Sequence, residues 1–255
     1  LTRLVGSEMC IRDRDEVERA IYNNALDALV SDARQLMFVD ETHKDRNSSR
    51  RRRGWGRRRH GAMTNRRAIR RWFTDDIRFT MIAAIDIHGF VIPALHFVHR
   101  TQIDGGGASG TVNTEVFEEW VEKFLCPVLG SYDDREERSI VVMDNTSAHL
   151  LQKVADLIQS TGAYLLFLAP YSPDLNPIEN AFSIYKSHLK RNTDLFVHDW
   201  IRAHDNAIDA VTEDIAIKLF RNAAVPKSRD VLTAEEQKDV HILAYILVIL
   251  IISFI

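Results

Sequence analysis

AYLLFLAPYSPDLNPIENAFSIYKSHLKR, residues 163–191, places a strand, a turn-rich loop and a helix in one run. Ala163 to Pro170 reads as a strand. Pro170, Ser172, Pro173, Asp174, Asn176 and Pro177 are all turn formers. IENAFSIYKSHLKR, 178–191, then reads as a helix, with Asn176 as its cap and Pro177 as the first helical residue.

Working outward, LLQKVADLIQS (150–160) reads as a helix and RSIVVMDN (138–145) as a buried strand ending in an acid. NTEVFEEWVEKFLCPVL (113–129) reads as a helix capped by Asn113 or Thr114, with Pro127 near its end. RFTMIAAIDIHGFVIPALHFV (78–98) reads as a strand pair turning at His88-Gly89. QLMFVDE (35–41) reads as a buried strand, and DEVERAIYNNALDALV (15–30) as an amphipathic helix. Two further helices are expected around 199–211 and 213–223. Three early strands followed by strand–helix alternation predict an α/β fold, a mixed central sheet flanked by helices. DGGGASG (104–110) lacks the Gly-Lys-Ser/Thr of a phosphate-binding P-loop.

Three acids occupy special places. Asp40 ends the first strand, Asp144 ends the strand of 138–145, and Glu179 opens the helix after the proline-rich loop. Acids at the carboxyl ends of buried strands project into the crevice where α/β sheets bind ligands. Clustered carboxylates repel unless a cation neutralises them. Hard oxygen donors without His or Cys suit Mg²⁺ or Mn²⁺, and two ions about 4 Å apart can activate both oxygens of a phosphoryl displacement. Each acid also has a local reading. Asp40 and Asp144 could be turn formers, and Glu179 at the third helical position could complete a capping box. Asp86 reads as turn chemistry beside His88-Gly89.

FVDETHKDR, VVMDNTSAH and LAPYSPDLNPIENAFSIYK resemble the signature blocks of mariner-type DDE transposases and their bacterial insertion-sequence relatives. The resemblance spans roughly residues 15–225, and the proline-rich run before Glu179 is its most specific part. It implies a ribonuclease H-like fold and a metal-binding triad at Asp40, Asp144 and Glu179. The 34 residues between Asp144 and Glu179 suit the branch that ends in Glu. It also implies a His near His149, beside Asn145 as a support for Asp144. Glu41 should face away from Asp40 if the strand continues. The implied activity is Mg²⁺- or Mn²⁺-dependent DNA strand cleavage and strand transfer. The partners would be transposon ends and target DNA, with no small-molecule substrate, and the intact family enzyme is expected to be a homodimer.

The formal net charge of −3 conceals an asymmetry. From Lys44 to Arg71 there are 13 Lys/Arg and one acid, so this stretch carries +12 and the remainder −15. RNSSRRRRGWGRRRH within it supplies Arg50, Arg51, Arg52, Arg53, Arg57, Arg58 and Arg59 for phosphates, and Trp55 for a base or for the core. A solvated loop or a nuclear-localisation stretch is the alternative reading. Relatives carry a basic Gly-Trp segment here, and this one is richer in Arg.

The two ends differ from the middle. Residues 1–14 show no periodicity and no signal-peptide core, and are expected to be a non-native leader. Residues 226–255 end in an apolar run from Ile242, shorter than a membrane span. Translation past a true end is the first expectation for that run, a buried element the second and an anchor the last. Cys10 and Cys126 give neither a disulfide framework nor zinc spacing. The family's tandem helix-turn-helix domains find no counterpart before FVDET. A domesticated or truncated DNA-binding remnant is therefore the second reading. A ribonuclease H-like nuclease of other substrates is the third, disfavoured by the proline block. The expected location is the nucleus in a eukaryote and the cytoplasm otherwise.

Overall fold

The computed structural model describes residues 15–44, 79–99, 112–144 and 148–238. The leader 1–14, nearly all of the basic segment, the loop 104–110, Asn145 and the apolar tail from 239 lie outside these residues. In chain order the elements are α1 (Glu16–Leu29), β1 (Leu36–Lys44), β2 (Phe79–Asp86), β3 (Gly89–Phe90), β4 (His96–His99), α2 (Thr114–Trp120), β5 (Ile140–Met143), α3 (Ala148–Ser160), β6 (Tyr164–Phe167), α4 (Pro177–Arg191), α5 (Thr193–His198), α6 (Trp200–Asp209) and α7 (Glu213–Asn222).

The sheet is mixed, as expected. Its order is β3-β2-β1-β5-β6, with β4 also pairing to β2. β2 is antiparallel to β1, β3 and β4, while β1–β5 and β5–β6 are parallel. β3 and β4 share one edge of β2, so six strands fill five positions. The predicted hairpin partner of β2 is thus broken. A 3-10 turn at Ile92–Ala94 interrupts it, because Pro93 cannot donate to the ladder. The turn after β2 is held by Asp86, whose Oδ1 accepts from His88 N at 2.8 Å, and Gly89 has φ +129. Asp86 is also buried against Arg138, whose Nε donates to its Oδ2 at 2.8 Å.

Side-chain alternation separates two cores. Leu36, Phe38, Met81, Ala83, Ile85, Ile140 and Val142 meet Tyr22, Leu26, Ile178, Phe182, Tyr185 and Phe220 from α1, α4 and α7. Met37, Val39, Ile82, Ala84, Val141 and Met143 meet Phe117, Trp120, Val154 and Ile158 from α2 and α3. The result is three layers, helices on both faces of the sheet. All eight residues of β2 are buried, as befits a strand covered on both sides.

Two predicted bounds shift. The helix of 113–129 is α-helical only to Trp120; a π turn (Val121–Leu125) and a 3-10 turn (Cys126–Val128) complete it where Pro127 removes a donor. Strand β1 does not stop at Glu41 but runs to Lys44. Its parallel partner β5 ends at Met143, level with Val39, while the antiparallel ladder with β2 continues to Lys44↔Phe79. Asp40 therefore lies where β1 parts from β5, not at the strand's end.

Candidate active site

Pleating carries Asp40 to the same face as Leu36 and Phe38, the face covered by α4. Asp144 follows β5 directly, one register step beyond the Val39↔Met143 pair, so it emerges beside Asp40. Glu179 comes from the first turn of α4. These three carboxylates, with Leu168, Ala169, Pro170, Tyr171, Ser172, Pro173 and Asn176, line one cavity of about 330 Å³. Asp40 is partly buried at its floor, whereas Asp144 and Glu179 are exposed. The structure thus brings all three sequence-selected acids together. Glu41 is not among the lining residues.

The local readings of these acids do not describe what their neighbours do. Asn176 occupies the N-cap position of α4, but its side chain caps nothing. Its Nδ2 instead donates to Asp40 Oδ2 at 3.0 Å, across 136 residues of sequence. The Glu179 backbone N–H donates to the Asn176 carbonyl at 3.3 Å, and no reciprocal capping box forms. Asp40 Oδ1 accepts from Glu41 N at 2.7 Å. The loop is braced from α1, where Arg19 donates twice to Asp174, at 3.1 and 2.9 Å. Tyr171 is exposed at the mouth with φ 53, a backbone conformation a bulky residue rarely adopts.

Burial pushes the Asp40 carboxyl up to about 7, with the charges of Glu179, Asp144 and Glu41 adding to it and the Glu41 N–H opposing. Burial also raises Glu41. A carboxylate held this high is one that lacks a compensating positive charge. Among the described residues no group of three or more His, Cys, Asp or Glu forms a ready-made metal cage. The all-oxygen donor set, the open cavity and the raised carboxyl fit Mg²⁺ or Mn²⁺.

The supporting residues fare unevenly. His149 lies in the first turn of α3, which starts two residues earlier than expected. Asn145 and the arginines Arg50–Arg53 and Arg57–Arg59, with Trp55, lie outside the described residues. Sequence reading missed Asn176 as a partner of Asp40 and missed Tyr171 as a lining residue. Their signal was the proline-rich loop itself, read only as turns. Among the described residues no helix is long and apolar enough to cross a membrane.

No curated protein sequence matches the chain significantly. Solved structures do match its fold. A structure of the mariner Mos1 paired end complex with Mg aligns at 15% identity and a TM-score of 0.54, covering 84% of this chain and 61% of that one. The Mos1 mariner paired end complex with Mn aligns at 16% and 0.52, covering 87% and 64%. A pre-cleavage Mos1 transpososome aligns at 15% and 0.50, covering 83% and 63%. The chain spans about three fifths of the length of these structures. At such identities the likeness carries the fold, which is the ribonuclease H-like one. The sequence pattern of the DDE superfamily endonucleases matches residues 35–196, a range that contains Asp40, Asp144 and Glu179. By that match over more than half its length, the chain belongs to the DDE superfamily endonucleases.

Proposed function

We propose that this chain is the catalytic domain of a mariner-type transposase, a divalent-metal-dependent enzyme that cleaves DNA strands and joins them to a target. The observation that carries the reading is the convergence of Asp40, Asp144 and Glu179 on one cavity, with the Asp40 carboxyl held near neutrality. Asp40, Asp144 and Glu179 would hold the cations. Bound there, Mg²⁺ or Mn²⁺, as a pair, supplies Lewis-acid activation at phosphorus. Leu168 and Ala169 form an apolar part of the cavity wall. Water attacks a phosphodiester at the element's end, forming a new P–O bond as the P–O bond to the 3′-oxygen breaks. The freed 3′-hydroxyl then attacks a target phosphodiester in line, displacing the target's own 3′-oxygen. No protein nucleophile is required by these two steps.

Arg50–Arg53 and Arg57–Arg59, with Trp55, are the proposed contacts to the DNA backbone. Homodimerisation, and residence in the nucleus of a eukaryotic cell, belong to the same proposal. The test is Asp144→Asn on the full chain with a DNA carrying the element's end. Metal-dependent cleavage should fall by at least three orders of magnitude while DNA binding stays unchanged. Cleavage at the wild-type rate by that variant would remove Asp144 from the chemistry and sink the reading.

A further inference from the structure

We infer that Asn176 is a positioning residue of the carboxylate site, acting through Asp40 rather than as the cap of α4. This rests on the metal-site reading above and deepens it. Residue 176 stands where helices favour Asn because its side chain can take up a free backbone N–H. Here that bond is not made. The amide is turned away from the helix, and Nδ2 donates to Asp40 Oδ2 at 3.0 Å. When Asp40 is ionised, as a cation ligand must be, it only accepts, so the NH₂ edge is then the one that has to face it. The residue is 3% exposed, so this orientation is enclosed.

Its backbone fixes it from both sides. Asn176 N donates to Pro173 O at 3.2 Å, and its carbonyl accepts from Glu179 N at 3.3 Å. One residue thereby links the strand carrying Asp40 to the turn carrying Glu179. A carboxylate with Oδ1 on Glu41 N and Oδ2 on Asn176 is held against rotation, with its remaining lone pairs turned to the cavity.

A second observation is independent of that bond. Asn176 Oδ1 is buried and has no hydrogen-bond partner among the described residues. Buried acceptors are normally satisfied. Among the described residues the amide is thus oriented by Asp40 alone.

The test separates positioning from capping. Ser and Gly both serve well as N-caps, but neither reaches Asp40. Asn176→Ser and Asn176→Gly are made in the full chain, and Mn²⁺ alone is titrated calorimetrically with Asp144→Asn beside them. Positioning predicts metal-free melting temperatures within a few degrees of wild type and Mn²⁺ affinity lowered about tenfold or more in both variants. Cleavage by them should show a lower kcat at unchanged KM for DNA. Wild-type Mn²⁺ affinity in whichever of the two folds overturns the inference. If Asp144→Asn loses Mn²⁺ while the Asn176 variants keep it, only the role of Asn176 fails. If Asp144→Asn binds Mn²⁺ as wild type does, the metal-site reading fails and the inference with it.

Discussion

Asp40 is a carboxyl whose folded environment favours its protonated form, and the sign of that preference has consequences for stability. Its ordinary value is 3.8 and its folded value about 7. The folded state therefore binds the proton more tightly than the unfolded one does. Below pH 4 both states are protonated and nothing is lost. Between pH 4 and 7 the metal-free protein loses stability as pH rises, and above 7 the loss is complete. Because the cavity is open and water screens it, a loss of about 2 kcal/mol is expected rather than the full linkage value. Asp40→Asn should stabilise the metal-free chain at pH 8 by about that amount and leave pH 4 nearly unchanged. Mn²⁺ should raise the melting temperature of wild type at pH 8 but not that of the variant. Denaturant melts at the two pH values check both statements; equal stability of the two chains at pH 8 would contradict the assignment. Asp40 and Glu179 were legible as sequence because each sits in a recognisable local setting, a strand of apolar residues and a Pro-started helix. Asn176 was not. Its bond to Asp40 joins residues far apart in the chain, and local pattern supplied the capping role that the folded molecule does not use.

At the scale of elements, alternating strands and helices were readable because burial on two faces imposes their periods. Interruptions were less so. The break between β3 and β4 follows from one proline on a sheet edge, and the π turn after α2 from packing ahead of Pro127. The extension of β1 through Thr42, His43 and Lys44 was hidden by polar side chains. Only their antiparallel pairing with β2 shows why they remain extended, and His43 Nδ1 lies 2.7 Å from Thr80 Oγ1 across that pair. The β2–β3 turn is locked to the connection between α6 and α7 by an approach that leaves no room. A Cβ at Gly89 would stand 2.8 Å from Val211 O, and φ is +129 there. Gly89→Ala should therefore cost about 2 kcal/mol or more, read as a lower denaturant midpoint with an unchanged slope. A midpoint equal to wild type would show that the turn and that connection move apart freely.

Across the whole chain, charge is divided between a basic run, residues 44–71, and an acidic remainder. The −15 outside residues 44–71 would repel DNA, so the +12 within them must dominate any binding. Replacing Arg50, Arg51, Arg52 and Arg53 by Ser should weaken DNA binding uniformly across sequences. The slope of log affinity against log salt should fall by up to about 4. Mn²⁺ affinity should not change, since the cavity's carboxylates, Asp40, Asp144 and Glu179, lie outside that run. Unchanged slope in a salt series would place the DNA-binding charge elsewhere.

The overhang of β1 beyond β5 joins these two halves. Asp40 lies at its root, and the basic run begins at its tip, Lys44. Four residues of extended chain measure about 13 Å, close to the rise of about four base pairs along the axis of duplex DNA. If DNA is cut at the carboxylates and held by the basic run, β1 sets the spacing between the two, and a shift in its register would move the point of cleavage relative to the footprint.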